Sequence, residues 1–209
     1  MGGLTVAVYG ATGGTGRRLL PLLLAAGHRV RALVRTPSKL GGLEAAEGLE
    51  VVQGDATDSA AVANAAKGAD VLVSCLGGVP RGPLVVSQAF RAILDVAGRQ
   101  GAKCLFLTTV GVGGTSFIVK VLLSIFVGFK MIADYEKADE MVRQHTASPW
   151  VLVRPNSLTD GDGGKGAVPY PPEGGWRTAV ARQDVAQFLC EAVTSSAWDN
   201  KAVSLCGER

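Results

Sequence analysis

Apolar residues fall along the chain in short, nearly continuous runs separated by stretches with helical spacing. Leu4–Tyr9, His28–Arg35, Leu49–Gln53, Asp70–Cys75, Lys103–Val110, Trp150–Arg154 and Lys201–Cys206 read as seven strands. Between them, Arg17–Ala26 carries leucines at helical spacing, Ser59–Lys67 is a small Ala-rich helix and Pro83–Gln100 is a long amphipathic one. Ser116–Gln144 is helical in composition with a break expected near Gly128, and Arg182–Thr194 predicts the last helix. This alternation implies an α/β fold, a mainly parallel sheet with helices on both faces. The strands are apolar throughout rather than at every second position, as a sheet covered on both sides requires. There is no internal repeat and no linker. Asp160–Gly175, rich in Gly and Pro, reads as a loop of the kind that carries a ligand site.

Composition narrows the possibilities. The 209 residues suit one domain spanning 1–209. Twenty-one Lys and Arg against 18 Asp and Glu give a net charge of +3, too small and dispersed for a nucleic-acid face but compatible with a small anionic ligand. The four cysteines form no CxxC pair and read as buried free thiols in a reducing compartment. Two histidines leave little room for a His-based metal site or a Ser-His-Asp triad. A strand pattern begins within three residues of the start, which predicts no targeting segment. The apolar stretch Phe117–Ala133 is interrupted by Lys120 and Lys130 and falls short of the ~20 residues of a membrane span. The expectation is a soluble, cytoplasmic monomer or homodimer.

The chemistry lies in Gly10-Ala-Thr-Gly-Gly-Thr-Gly16, between the first strand and the first helix. Gly10 permits the tight turn, Gly13 a close approach of phosphate to backbone, and Gly16 close packing of helix on sheet. Thr12, Gly14 and Thr15 complete the loop, and the helix N-terminus turns free N–H groups and a partial positive charge toward a diphosphate. Strand–glycine loop–helix is the context that gives the motif its dinucleotide meaning. The end of the second strand selects the cofactor. An NAD site usually has Asp or Glu there, whereas this chain has Arg35-Thr-Pro-Ser-Lys39. The Arg35 guanidinium suits a 2′-phosphate, with Thr36 and Ser38 as hydroxyl donors and Lys39 as a second charge, so NADP is expected over NAD. Asp55 and Ala56, after the third strand, would meet the adenine. Cys75-Leu76-Gly77, after the fourth, would let the cofactor ribose lie on the sheet end.

Together with Thr108-Thr109 and the segment Val153-Arg-Pro-Asn-Ser-Leu-Thr-Asp160, these residues resemble the atypical short-chain dehydrogenase/reductases. The likeness is to the small NAD(P)H-binding branch that holds flavin reductases and NmrA-like proteins, and it covers essentially the whole chain. It implies a doubly wound Rossmann fold and NADPH-dependent reduction of a small aromatic or conjugated acceptor such as a flavin, quinone or tetrapyrrole. It also puts Pro155 near the nicotinamide. Acceptor walls are expected in 78–82, 110–133 and 156–178. The Tyr-x-x-x-Lys pair of the wider superfamily is missing: Tyr135 and Lys137 are two apart, in a run that reads as a solvent-facing helix end. Thr109 fills the position of the superfamily's serine and is the candidate catalytic hydroxyl. The alternative is a non-catalytic NADP(H)-binding sensor or scaffold. A nucleotide-sugar epimerase needs a larger C-terminal part than the roughly 50 residues after Pro155.

Overall fold

The computed structural model describes residues 3–78, 82–113, 128–170 and 178–207. Five strands open the chain's βαβ pattern: β1 (Thr5–Tyr9), β2 (Arg29–Val34), β3 (Leu49–Gln53), β4 (Val71–Ser74) and β5 (Lys103–Leu107). They are followed by β6 (Trp150–Pro155), β7 (Leu158–Thr159), β8 (Ala167–Tyr170), β9 (Val180–Ala181) and β10 (Lys201–Gly207). The helices are α1 (Gly14–Ala25), α2 (Ser59–Ala65), α3 (Val86–Gln100), α4 (Phe129–Arg143) and α5 (Arg182–Thr194).

The main sheet runs β3-β2-β1-β4-β5-β6-β10-β8. The first seven in that order are parallel and are the seven strands expected from the sequence. The expectation of a seven-stranded sheet is corrected to eight. β8 pairs antiparallel with β10, Pro169 opposite Leu205, inside the stretch expected to be all loop. Its Gly, Pro and Lys neighbours hide a four-residue strand whose partner lies some 35 residues away. A small two-stranded sheet, β7 with β9, was also not foreseen.

Alternation along each strand divides the core. Val6, Val8, Val71, Val73, Leu105 and Val153 pack with Leu19, Leu20 and Leu23 of α1 and with Val185 and Leu189 of α5. Ala7, Tyr9, Leu72, Phe106 and Leu152 face the other way, toward α2, α3 and α4. The helix α3 buries Val86, Ala89, Phe90, Ile93 and Ala97 at intervals of three and four and ends at Gly101, whose φ of +67° a glycine tolerates. Asp58 caps α2, accepting from the Ala60 N–H at 2.9 Å. Among the described residues, no helix is long and apolar enough to cross a membrane.

This strand order has one consequence for ligands. From β1 the chain winds outward through β2 and β3, then returns to start β4 on β1's other side. The loops leaving β1 and β4 therefore diverge and leave a crevice at their carboxyl ends, where open α/β sheets bind ligands.

Candidate dinucleotide site

The glycine loop stands at this crevice. Gly10 has φ +79°, and a Cβ there would lie 2.8 Å from the carbonyl of Cys75, so β1 and β4 can come this close only with glycine at the turn. A Cβ on Gly16 would be 2.3 Å from the Gly10 carbonyl oxygen and 2.8 Å from Ala11 Cα. That glycine seats α1 against the loop. Gly13 is different: its φ is −75°, and a Cβ would press on the Gly10 oxygen at 3.2 Å and touch the Cys75 oxygen at 3.9 Å. Its own N–H is spent on the Gly10 carbonyl at 3.0 Å. The first helical bond runs from Arg17 N–H to the Gly13 carbonyl, so the N–H groups of Gly14, Thr15 and Gly16 precede it and head the helix.

A pocket of about 150 Å³ gathers Gly10 and Thr12 from the loop, Arg35 from the end of β2, Asp55 and Ala56 from the end of β3, and Leu76 and Gly77 from the end of β4. Thr57, Pro83, Val85 and Ala89 add to its wall. Two larger hollows are open grooves elsewhere, one of about 480 Å³ at the amino ends of β1 to β3 and one of about 760 Å³ between α3 and α4. Neither includes the glycine loop.

Arg35 is exposed and stands 4.0 Å from Asp55, a loose pair that leaves the guanidinium able to take another anion. Asp55 is itself fixed. Its Oδ1 accepts from both the N–H and the hydroxyl of Thr57, each at 2.8 Å, and these bonds hold its carboxyl below the usual range, with Arg35 a lesser cause. Thr36, Ser38 and Lys39 are exposed on the short 3-10 turn Pro37–Leu40, beside Arg35. Arg17 of α1 donates to the Lys39 carbonyl, fastening this turn to the glycine helix. Cys75 is buried, and burial pushes its thiol up to about 12, so it is inert and offers the site its backbone.

The strand ends farther along form no part of this pocket's lining. Thr109 follows β5, half-buried, its hydroxyl donating to the Val110 carbonyl at 3.1 Å. Pro155 closes β6, buried, its carbonyl accepting from Val110 N–H at 3.2 Å. Arg154 beside it is 1% exposed and forms a two-pronged pair with Asp139 of α4, both bonds from Nη2 at 2.7 Å, with Nε adding a third at 3.0 Å. Of the expected acceptor walls, 79–81, 114–127 and 171–177 lie outside the described residues.

One expectation is reversed. Tyr135 does not face solvent; it is 6% exposed, and its hydroxyl accepts from the Gly78 N–H at 2.8 Å. The charges around it misled, because Asp134 and Asp139, which read as surface residues, are themselves buried. Asp134 accepts from the N–H groups of Val86 and Ser87 at the head of α3, and Asp139 meets Arg154. Burial raises the Tyr135 pKa, so the phenol stays protonated. Four residues on stands Asp139 rather than a lysine, so the pairing that would make this phenol an acid is missing.

Sequence reasoning also missed Arg182, Arg18 and Asp160. The Arg182 side chain crosses from α5 to Gly14, and its guanidinium meets Asp160 at 2.9 Å. No local signal marks such a residue, because the contact joins elements far apart in the chain.

Comparison with known proteins agrees with this geometry. The model of a family described as NAD(P)H-binding matches residues 10–196. The chain is 29% identical to reductase pytE of Aspergillus terreus, an alignment covering 96% of this chain and 97% of that protein. ChuY, an anaerobilin reductase from Escherichia coli O157:H7, superposes with a TM-score of 0.81 at 25% identity, covering 97% of each chain. A short-chain dehydrogenase/reductase from Veillonella parvula, solved with NADP, has a TM-score of 0.81 at 12% identity over 97% of this chain and 94% of its own. At that identity the likeness is one of fold.

Proposed function

The chain belongs to the NAD(P)H-binding family, and from that premise we propose that it is an NADPH-dependent reductase of small aromatic or conjugated acceptors. The observation that carries this reading is the pocket itself. The β1 turn, the Arg35 turn and the β4 end converge there, with no carboxylate from the end of β2.

The residues present fit the cofactor. Gly10 and Gly16 stand where any side chain would strike backbone, and at Gly13 the contact is looser, 3.2 Å to the Gly10 oxygen, so the missing side chain there would serve the approach of a diphosphate. The N–H groups of Gly14, Thr15 and Gly16 would bind the diphosphate. Arg35, with Thr36, Ser38 and Lys39 on its turn, would hold the 2′-phosphate. Asp55 and Ala56 would take the adenine, while Leu76 and Gly77 would lie along the ribose, with Cys75 beneath. When bound, the nicotinamide supplies the hydride, so no side-chain nucleophile is needed. Thr109 and Pro155, at adjacent strand ends, would align the reacting groups, and the final proton would come from solvent.

Arg35→Ala tests the cofactor choice. Losing a charge-assisted pair costs about 1.5–3 kcal/mol. NADPH affinity should therefore fall roughly ten- to hundred-fold while NADH is almost unaffected. Equal losses for both would remove the assignment.

A second reading, a non-catalytic NADP(H) sensor, draws on the phenol of Tyr135, which is committed to Gly78 and has no lysine partner. NADPH oxidation assayed with flavins, quinones and tetrapyrroles separates the two, because a sensor turns over none of them.

A further inference from the structure

We propose that Arg182 is a diphosphate-binding residue delivered from α5, and that Asp160 is the counter-ion that occupies it in the absence of a dinucleotide. This rests on the dinucleotide reading and adds to it a contact that neither the glycine motif nor the Arg35 turn supplies.

Arg182 is the first residue of α5, yet its side chain belongs spatially to α1. A Cβ on Gly14 would come within 2.7 Å of Arg182 Cδ and 2.9 Å of Nε. The stem thus lies against the first residue of the glycine helix, and a side chain at position 14 would displace it. Gly14 therefore serves this arginine, whereas Gly10 and Gly16 serve the backbone. Beyond the stem, Arg182 Nη1 meets Asp160 Oδ1 at 2.9 Å. Arg18 Nη2 approaches the same oxygen at 3.6 Å, and Arg18 Nη1 donates to the Gly14 carbonyl at 2.8 Å. Two guanidinium groups against one carboxylate leave a net positive charge beside the N–H groups that head α1.

The two arginines are about a quarter exposed, whereas Asp160 is 74% exposed. An exposed carboxylate in water holds its partners weakly. A diphosphate offers more charge and a geometry that the planar fork of arginine matches. The arginine's origin is also held in place. Asp184, in the first turn of α5 and buried, accepts from Gly164 N–H at 2.8 Å, tying the 160–164 segment to the helix that carries Arg182. With the Gly13 N–H already spent inside the loop, a guanidinium from α5 supplies donors that the loop lacks.

The test compares three probes by calorimetry: NADPH, ADP-ribose, which has the diphosphate and no 2′-phosphate, and adenosine 2′-monophosphate, which has the reverse. Arg182→Ala should weaken NADPH and ADP-ribose about ten-fold and leave adenosine 2′-monophosphate unchanged. Arg182→Lys should fall between, because a point charge replaces the fork. Arg35→Ala should give the opposite pattern. Asp160→Asn should tighten ADP-ribose by about two- to three-fold, since the competing charge is gone. Unchanged ADP-ribose affinity in Arg182→Ala would overturn the proposal. So would an equal loss for all three probes, which would signal a general loss of charge or structure. Wild-type protein that binds neither NADPH nor ADP-ribose would remove the dinucleotide reading and this proposal together, whereas normal wild-type binding with an unaffected Arg182→Ala removes only this one.

Discussion

The half of the sheet from β3 to β4 and the half from β5 to β8 solve the same packing problem differently. In the first, strands, turns and helices follow one another in sequence, and the site is made largely of backbone, glycines, helix-heading N–H groups and short turns, with Arg35 and Asp55 as its charged side chains. In the second, the stabilising polar contacts join distant segments. Arg154 reaches Asp139, Asp184 reaches Gly164, and Arg182 crosses to Gly14 and Asp160. A backbone-built site is fixed by whichever few residues can adopt its geometry. A side-chain-built region is fixed by pairs, and loses more when one partner goes.

The sharpest test of that contrast is Asp139→Ala. It leaves the Arg154 guanidinium buried without its counter-ion, which costs about 3–5 kcal/mol. The melting temperature should drop by roughly 10 °C, read by thermal unfolding, and an unchanged melting curve would end the comparison. In the backbone-built half, Gly13→Val should do the reverse. Its φ suits any residue, and its Cβ needs the Gly10 carbonyl to give by only a few tenths of an ångström, so melting should shift far less than in Asp139→Ala while calorimetry finds no NADPH binding. Next comes Thr109→Val, which should slow NADPH oxidation about ten-fold, near 1.4 kcal/mol of barrier, through lost alignment. Tyr135→Phe should leave turnover within about two-fold, yet lower stability by about 1–3 kcal/mol, because the Gly78 N–H loses its acceptor. The smallest effect concerns Asp55. Its carboxyl is held below the ordinary carboxylate value, so its contribution to stability is present above about pH 4 and is lost as pH falls through the depressed value. Thr57→Val should raise that titration only part of the way toward the ordinary range, because it removes the hydroxyl bond and keeps the residue 57 N–H, the larger cause, as measured by carboxyl NMR shifts.

The sequence made the first half legible for a physical reason. β1, the glycine turn and α1 are adjacent in the chain, and each glycine meets a local requirement, so spacing alone carries the information. All seven parallel strands and the start of α5 at Arg182 were legible in the same way, from continuous apolar runs and helical spacing. β8 was not, because Gly166, Pro169 and the surrounding glycines obey turn preferences, and only β10 opposite makes the segment a strand. Tyr135 was misjudged because its charged neighbours, Asp134 and Asp139, find partners 48 and 15 residues away that no local pattern reveals. Arg35 and Asp55 were identified as residues, but their loose pairing and the Thr57 clasp on Asp55 emerge only in three dimensions.

The reversed direction of β8 has a consequence for how copies of this chain meet one another. A sheet that ended on β10 would expose seven residues of regular strand as a template onto which another copy could add. β8 covers that margin and replaces it with a four-residue one containing a proline, which has no N–H to offer an incoming chain. The approach to it bends at Gly166, where φ is +81°. Among the described residues β8 is the margin of the sheet at that end, and a short strand interrupted by proline is a poor template for growth of the sheet from molecule to molecule.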